Sequence, residues 1–142
     1  MKVLIINGPN LNLLGVREPG VYGEMTFEEF LEILVKALPE MQIDYFQSNV
    51  EGEIINQLHN AMTIYDGVVL NAGGYTHTSV SIADAIRAVS VPVVEVHVSN
   101  IFAREDFRKI SLTAPNCVGC ITGFGLKGYS LAISALAMNL AE

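Results

Sequence analysis

Residues Gly67 to Val98 read GVVLNAGGYTHTSVSIADAIRAVSVPVVEVHV, and the order of patterns in this stretch decides the fold. Gly67 to Asn71 is a short apolar run of strand length. A loop, Ala72 to Thr78, follows, after which Ile82, Ala83, Ile86 and Val89 recur at helical spacing. Pro92 then opens a second strand over Val93 to Val98, at a strand's start, where a missing N–H is tolerated. Strand, helix and strand in succession form the unit that sets two strands parallel under a right-handed crossover.

The same alternation extends in both directions. Lys2 to Asn7 is a β-branched run cut off by Asn7, Gly8 and Pro9, the mark of a buried parallel strand ending in a turn. The next regular element is expected only at Thr26, which forms a capping box with Glu29. Phe27, Phe30, Leu31, Leu34, Val35 and Leu38 then carry a helix until Pro39 stops it. Met41 to Gln47 reads as a strand, and Ile54, Ile55, Leu58 and Met62 form the stripe of the next helix. Downstream of Val98 the pattern predicts a short helix around Ala103 to Ser111, a fifth strand over Cys117 to Thr122 and a last helix over Tyr129 to Ala141. Strand and helix thus alternate five times. This order implies an α/β, flavodoxin-like doubly wound domain, with a five-stranded parallel sheet and helices on both faces. Ligands of such domains bind outside the carboxyl ends of the strands.

Length and composition agree with one globular domain over residues 1–142, with 51% hydrophobic and 16% charged residues. So little charge also points to surfaces covered by other subunits. Eight basic against 15 acidic residues give a net charge of −7 with no basic patch, which argues against nucleic acid and anionic membranes as partners. The apolar run after Met1 is too short for a signal peptide, and no run approaches the ~18 residues of a membrane span. A soluble cytoplasmic protein is expected. Cys117 and Cys120 are too few for a disulfide framework, and reduced thiols are expected.

The connection Gly8 to Met25, GPNLNLLGVREPGVYGEM, is far longer than the ~2–6 residues usual in an α/β unit, and loops of that length often act as lids. Gly15, Gly20 and Gly23 supply backbone freedom. Arg17 and Tyr22 are its side chains suited to cation or proton-transfer roles. Each alone reads as a solvated surface residue; together, beside a strand end, they read as chemistry. Tyrosine has a reference pKa of ~10, and a guanidinium within ~4–6 Å favours the phenolate; two units would correspond to roughly 2.7 kcal/mol.

Along Val93 to Val98 side chains alternate, so Glu95, His97 and Ser99 share one face and Val94, Val96 and Val98 the other. Glu95 is in reach of His97, directly or through water. A carboxylate in so apolar a run needs a partner, and an arginine would serve equally as a structural ion pair. Asn71, His77 and His97 fall along one edge of the sheet, a convergence of polar groups typical of a small-molecule pocket. Thr78 and Ser79 read as helix caps. Arg104 and Arg108, four apart on the expected short helix, are either neutralised by Glu105 and Asp106 or, for Arg108, turned to an anionic or hydroxylated ligand; the sequence leaves both readings open.

Two motifs point elsewhere and are set aside. Gly123 to Gly128, GFGLKG, has the G-x-G-x-x-G spacing, but too little chain follows for a dinucleotide unit, so a tight, closely packed turn is expected. Cys117 to Cys120 has C-x-x-C spacing along a strand without a second ligand pair for zinc, and buried, inert thiols are expected. A phospho-receiver would need acids where Asn7 and Asn71 stand. A flavin-phosphate site would need hydroxyls that GPNLNLL lacks.

The segments NGPNLNLLGVREPGVYG, NAGGYTHTS with Asp84 and Ala85 beyond it, VEVHVSN followed by REDFR, and GFGLKGYSLA resemble, in order, those of the type II 3-dehydroquinases of the shikimate pathway. The resemblance spans nearly the whole chain. It implies a flavodoxin-like fold, no cofactor or metal, and anti elimination of water from 3-dehydroquinate through an enolate to give 3-dehydroshikimate. By the same resemblance Tyr22 is the base, Arg17 the cation sustaining its phenolate, and His97 the acid, oriented by Glu95. Asn10 helps hold the water that stabilises the enolate oxygen. Asn71, His77 and Arg108 correspond to ligands of the substrate ring hydroxyls, and the backbone amides of Val98 and Ser99 to the carboxylate cradle. Asp84 reaches a neighbouring subunit's site in a dodecamer, a tetramer of trimers. Phe102 stands where many members carry histidine, and Ala83 where a charged residue often precedes the Asp. A Schiff-base route to the same product would need a lysine at a strand's carboxyl end, and Lys2, Lys36, Lys109 and Lys127 are placed elsewhere.

Overall fold

The structure, a computed structural model, describes residues 1–16 and 18–141. Its regular elements are β1 (Lys2–Asn7), α1 (Pro19–Tyr22), α2 (Phe27–Ala37), β2 (Gln42–Gln47), α3 (Glu51–Ile64), β3 (Gly67–Asn71), α4 (Val80–Ala88), β4 (Val93–His97), β5 (Gly119–Thr122) and α5 (Lys127–Ala141). All pairings are parallel, and the strand order is β2-β1-β3-β4-β5. This is the flavodoxin-like order, whose connections reverse direction between β1 and β3 and leave a crevice at their carboxyl ends.

Alternation along the central strands builds two cores. Val3, Ile5, Val69, Val94 and Val96 face one way and pack with Phe27, Phe30 and Leu34 of α2 and Tyr129, Ile133 and Leu136 of α5. Leu4, Ile6, Val68, Leu70 and Val93 face the other way, against Ile54 and Leu58 of α3 and Ile82 and Ile86 of α4. Each such side chain, fully buried, contributes ~1.5–3 kcal/mol relative to exposure. The expected capping box is present: the Glu29 amide donates to the Thr26 hydroxyl (3.2 Å) and the Thr26 amide to the Glu29 carboxylate (2.9 Å). Among the described residues no helix is long and apolar enough to cross a membrane.

Three expectations are corrected. The connection after β1 is not without regular structure, because Leu11–Leu13 forms a 3₁₀ turn and α1 lies within it. Buried Leu11 and Leu14 anchor the first part of that connection to the core. The helix expected over Ala103 to Ser111 is two 3₁₀ turns, Ile101–Ala103 and Asp106–Lys109, separated by Arg104 and Glu105 in extended backbone. Cys120 is exposed and Cys117 partly so, because β5 is an edge strand without a helix over that part of its face. The glycine turn packs closely as expected: Gly123 has φ 93°, and a Cβ on Gly128 would come within 3.2 Å of Val96.

Candidate active site

The tips of β1 and β3 cross so closely that only glycine fits. Gly8 N–H donates to the Asn71 carbonyl (2.7 Å), and a Cβ on Gly8 would fall 2.5 Å from the Ala72 carbonyl oxygen. Beyond this crossing opens a cleft with about 610 Å³ of empty space, partly open to solvent. That size suits a small polar ligand. Asn10, Tyr22, Asn71, His77, His97, Val98, Ser99, Arg104 and Arg108 line it, so of the residues singled out in the sequence most converge here.

Asn71, at the end of β3, is pinned through both ends of its amide. Its Nδ2 donates to the Tyr129 hydroxyl (3.0 Å), its Oδ1 accepts from the Gly73 amide (3.2 Å), and Tyr129 in turn donates to Asn7 Oδ1 (2.7 Å). Burial pushes the Tyr129 phenol well above its ordinary value, so that hydroxyl serves as a fixed neutral link. His77 is held by a 2.7 Å hydrogen bond from Nδ1 to the Ile110 carbonyl. Since a carbonyl only accepts, the proton sits on Nδ1. Its ring lies 6.3 Å from that of His97. Asn10 adopts a left-handed φ of 68°, a conformation asparagine tolerates better than most residues, and its amide donates to Asn49 Oδ1 (3.0 Å).

At the end of β4 His97 Nε2 donates to Glu95 Oε2 (3.0 Å), which leaves Nδ1 as the remaining ring nitrogen. Glu95 is completely buried, yet its oxygens are fully engaged. Ser111 Oγ donates to both oxygens (2.9 and 3.3 Å), Thr113 Oγ1 to Oε1, and Cys120 Sγ to Oε2 (3.4 Å). Burial pushes the carboxyl pKa up, but the hydrogen bond and charge of His97, with the Thr113 and Ser111 hydroxyls, outweigh it and hold the pKa below the ordinary value. The carboxylate therefore stays charged beside the imidazole. Burial and Glu95 push the Cys120 thiol up to about 12, so the thiol is inert as a nucleophile.

Arg17 lies outside the described residues. The guanidinium described at the tyrosine is that of Arg104, whose Nη1 donates to Tyr22 Oη at 2.6 Å and lies 3.4 Å from Ser99 Oγ. Arg104 also lies 3.9 Å from the carboxylates of Glu18 and Glu105. Arg108 lines the cleft and is paired with Glu105 (2.7 Å), the neutralising partner that the sequence offered. Asp84, on α4, is exposed, accepts from Arg87 (2.8 Å) and does not line the cleft. Phe102 is exposed and also lies off the cleft.

Sequence reasoning missed Ser111, Thr113 and Tyr129, and read Arg104 only as a charge neutralised by its acidic neighbours. A helix over 103–111 would have turned Arg104 toward Arg108; its place seven residues past His97, in the loop leaving a strand tip, was the signal available.

The family model described as Dehydroquinase class II matches residues 1–137. The chain belongs to the class II dehydroquinase family. Within that family it is 55% identical over 139 residues to the 3-dehydroquinate dehydratase of Fusobacterium nucleatum, covering 94% of each chain. To the 3-dehydroquinate dehydratase of Caldicellulosiruptor saccharolyticus it is 54% identical, with 95% of each covered. The crystal structure of the type II dehydroquinase from Butyrivibrio crossotus superposes with a TM-score of 0.93 at 45% identity, over 96% of this chain and 97% of that one. The class II dehydroquinase fold therefore extends over the whole domain, as the order of elements implies.

Proposed function

We propose that this chain is a hydro-lyase that converts 3-dehydroquinate to 3-dehydroshikimate in the shikimate pathway, with Tyr22 as base and His97 as acid. The observation that carries the mechanism is that one cleft brings together a phenol paired with a guanidinium and an imidazole paired with a buried carboxylate.

In this reading the Tyr22 phenolate, facing the Arg104 guanidinium and with Arg17 as a second cation, removes the proton alpha to the ketone. Electrons move into the carbonyl, and a water held by Asn10 stabilises the resulting enolate oxygen. The enolate then re-forms the ketone and expels the β-hydroxyl, which takes a proton from His97 and leaves as water. Glu95 keeps His97 oriented and sets a negative charge beside its ring, an arrangement that suits a general acid. Asn71, His77 and Arg108 hold the ring hydroxyls, and the amides of Val98 and Ser99 the substrate carboxylate. Because Asn71 cannot rotate without breaking two hydrogen bonds, it offers a pre-set donor to the ring. Asp84, exposed and not part of its own cleft's lining, suits the role of completing a neighbouring subunit's site in a dodecamer.

The test is to mix the protein with 3-dehydroquinate and follow ultraviolet absorbance of the conjugated enone. Steady growth of the band without added cofactor supports the assignment. A flat trace from folded, assembled protein removes it.

A further inference from the structure

Glu95 and Cys120 are direct neighbours across the β4–β5 pairing, and His97 lies two residues further along β4, so the three side chains share one face of the sheet. His97 Nε2 lies 3.0 Å and Cys120 Sγ 3.4 Å from the same carboxylate oxygen, and one ligand atom from each residue falls within 4.8 Å of the others. We propose that Glu95, His97 and Cys120 form a binding site for Zn²⁺, or a divalent ion of like softness, whose occupation switches the enzyme off.

The geometry is close to what such an ion needs. Zinc binds imidazole nitrogen and carboxylate oxygen at about 2.0–2.2 Å and thiolate sulfur at about 2.3 Å, which in a tetrahedron sets the ligand atoms roughly 3.3–3.6 Å apart. Two of the three separations already stand within a few tenths of an ångström of that spacing. The donor set is equally selective: sulfur, nitrogen and oxygen together suit zinc, whereas magnesium and calcium take oxygen. The outer shell is in place, because Thr113 holds the far oxygen of the carboxylate, Oε1, and Ser111 bridges both oxygens. Access comes through Cys120 and Gly119, both exposed on the edge strand.

The exchange balances. In the metal-free site an N–H and an S–H each bridge to Glu95 Oε2. The ion takes the place of both hydrogens: the thiol proton leaves to solvent, and the neutral imidazole moves its proton from Nε2 to Nδ1 and gives the Nε2 lone pair to the metal. Zinc thereby breaks the hydrogen bond between His97 and Glu95 and locks His97 as a ligand. That this stops turnover rests on the proposed role of His97 as the acid; that the ion binds does not.

The experiment uses the assembled protein after chelator treatment, with Co²⁺ as a spectroscopic probe and Zn²⁺ as the inhibitor. Expected are one Co²⁺ per chain with tetrahedral visible bands and a thiolate charge-transfer band, both displaced by Zn²⁺. The charge-transfer band should vanish in Cys120→Ala and persist in Cys117→Ala. Stoichiometric Zn²⁺ should lower wild-type turnover about a hundredfold, the scale of a lost general acid, and chelator should restore it. Cys120→Ala, measured against its own zinc-free rate, should be insensitive, and Mg²⁺ without effect. No thiolate band in the wild type, or a band that survives in Cys120→Ala, overturns the site. A Cys120-dependent band with turnover unchanged leaves the site standing but overturns the switch, and with it the role given to His97.

Discussion

Replacing Glu95 by glutamine tests whether charge, rather than shape, makes His97 an acid. Glutamine keeps the volume but offers one acceptor where the carboxylate offers two. With its Oε1 toward His97, its amide faces Ser111 and Thr113, whose hydroxyls can turn from donating to accepting. The fold is thus preserved and the negative charge lost. A hydrogen bond to a charged group is worth ~1.5–3 kcal/mol and a neutral one ~0.5–1.5, so the imidazolium loses roughly 1–2 kcal/mol of support from this bond and more from the missing charge. Turnover, followed by enone absorbance, should fall about a hundredfold, within the range of a general acid's contribution. Stability supplies an independent check. The folded carboxyl pKa lies below its unfolded value, so the charged group stabilises the native state above the ordinary carboxyl range, and this contribution is lost as pH falls through the lower, folded pKa. The stability advantage of wild type over Glu95→Gln should therefore be full at neutral pH and shrink below about pH 4. A variant that turns over within about twofold of wild type would refute the reasoning, since no general-acid contribution of the expected size is that small.

Three other outcomes are expected. Arg104→Met should lower turnover by roughly ten- to a hundredfold, the loss of a charge-assisted hydrogen bond of a few kcal/mol at Tyr22 Oη, with the thermal midpoint little changed; the enone assay and a melting curve separate the two effects. Leu136→Ala, which opens a void against Gly67 at the base of β3, should cost ~2–5 kcal/mol by denaturant unfolding while sparing the rate of the protein that remains folded. Borohydride added with substrate should leave the protein's mass unchanged, because the lysines lie away from the cleft; a covalent adduct would reinstate an amine mechanism.

Much of this could be read before any coordinates. β1 and β3 have the residues expected of them, since a β-branched run ended by Asn-Gly-Pro or Asn-Ala-Gly leaves the chain few alternatives. Thr26, Glu29 and Pro39 set the bounds of α2 because caps and proline act locally. The pairing of Glu95 with His97 follows from the two-residue period of a strand. What escaped was set by tertiary contacts. The segment 101–116 follows no period: Ser111 and Thr113 turn inward to satisfy Glu95, and that demand outweighs helical propensity. Arg104 was hidden for the same reason. Cys120 is exposed because β5 ends the sheet, which neighbouring residues along the chain do not reveal.

The most direct measurement is the turnover of 3-dehydroquinate by Tyr22→Phe, with assembly and secondary structure checked in the same preparation. Removing one oxygen leaves the ring, its packing and the Arg104 guanidinium, so a rate lower by about a thousandfold or more is expected if that oxygen takes the proton. An intact Tyr22→Phe protein that forms enone at close to the wild-type rate would contradict the account.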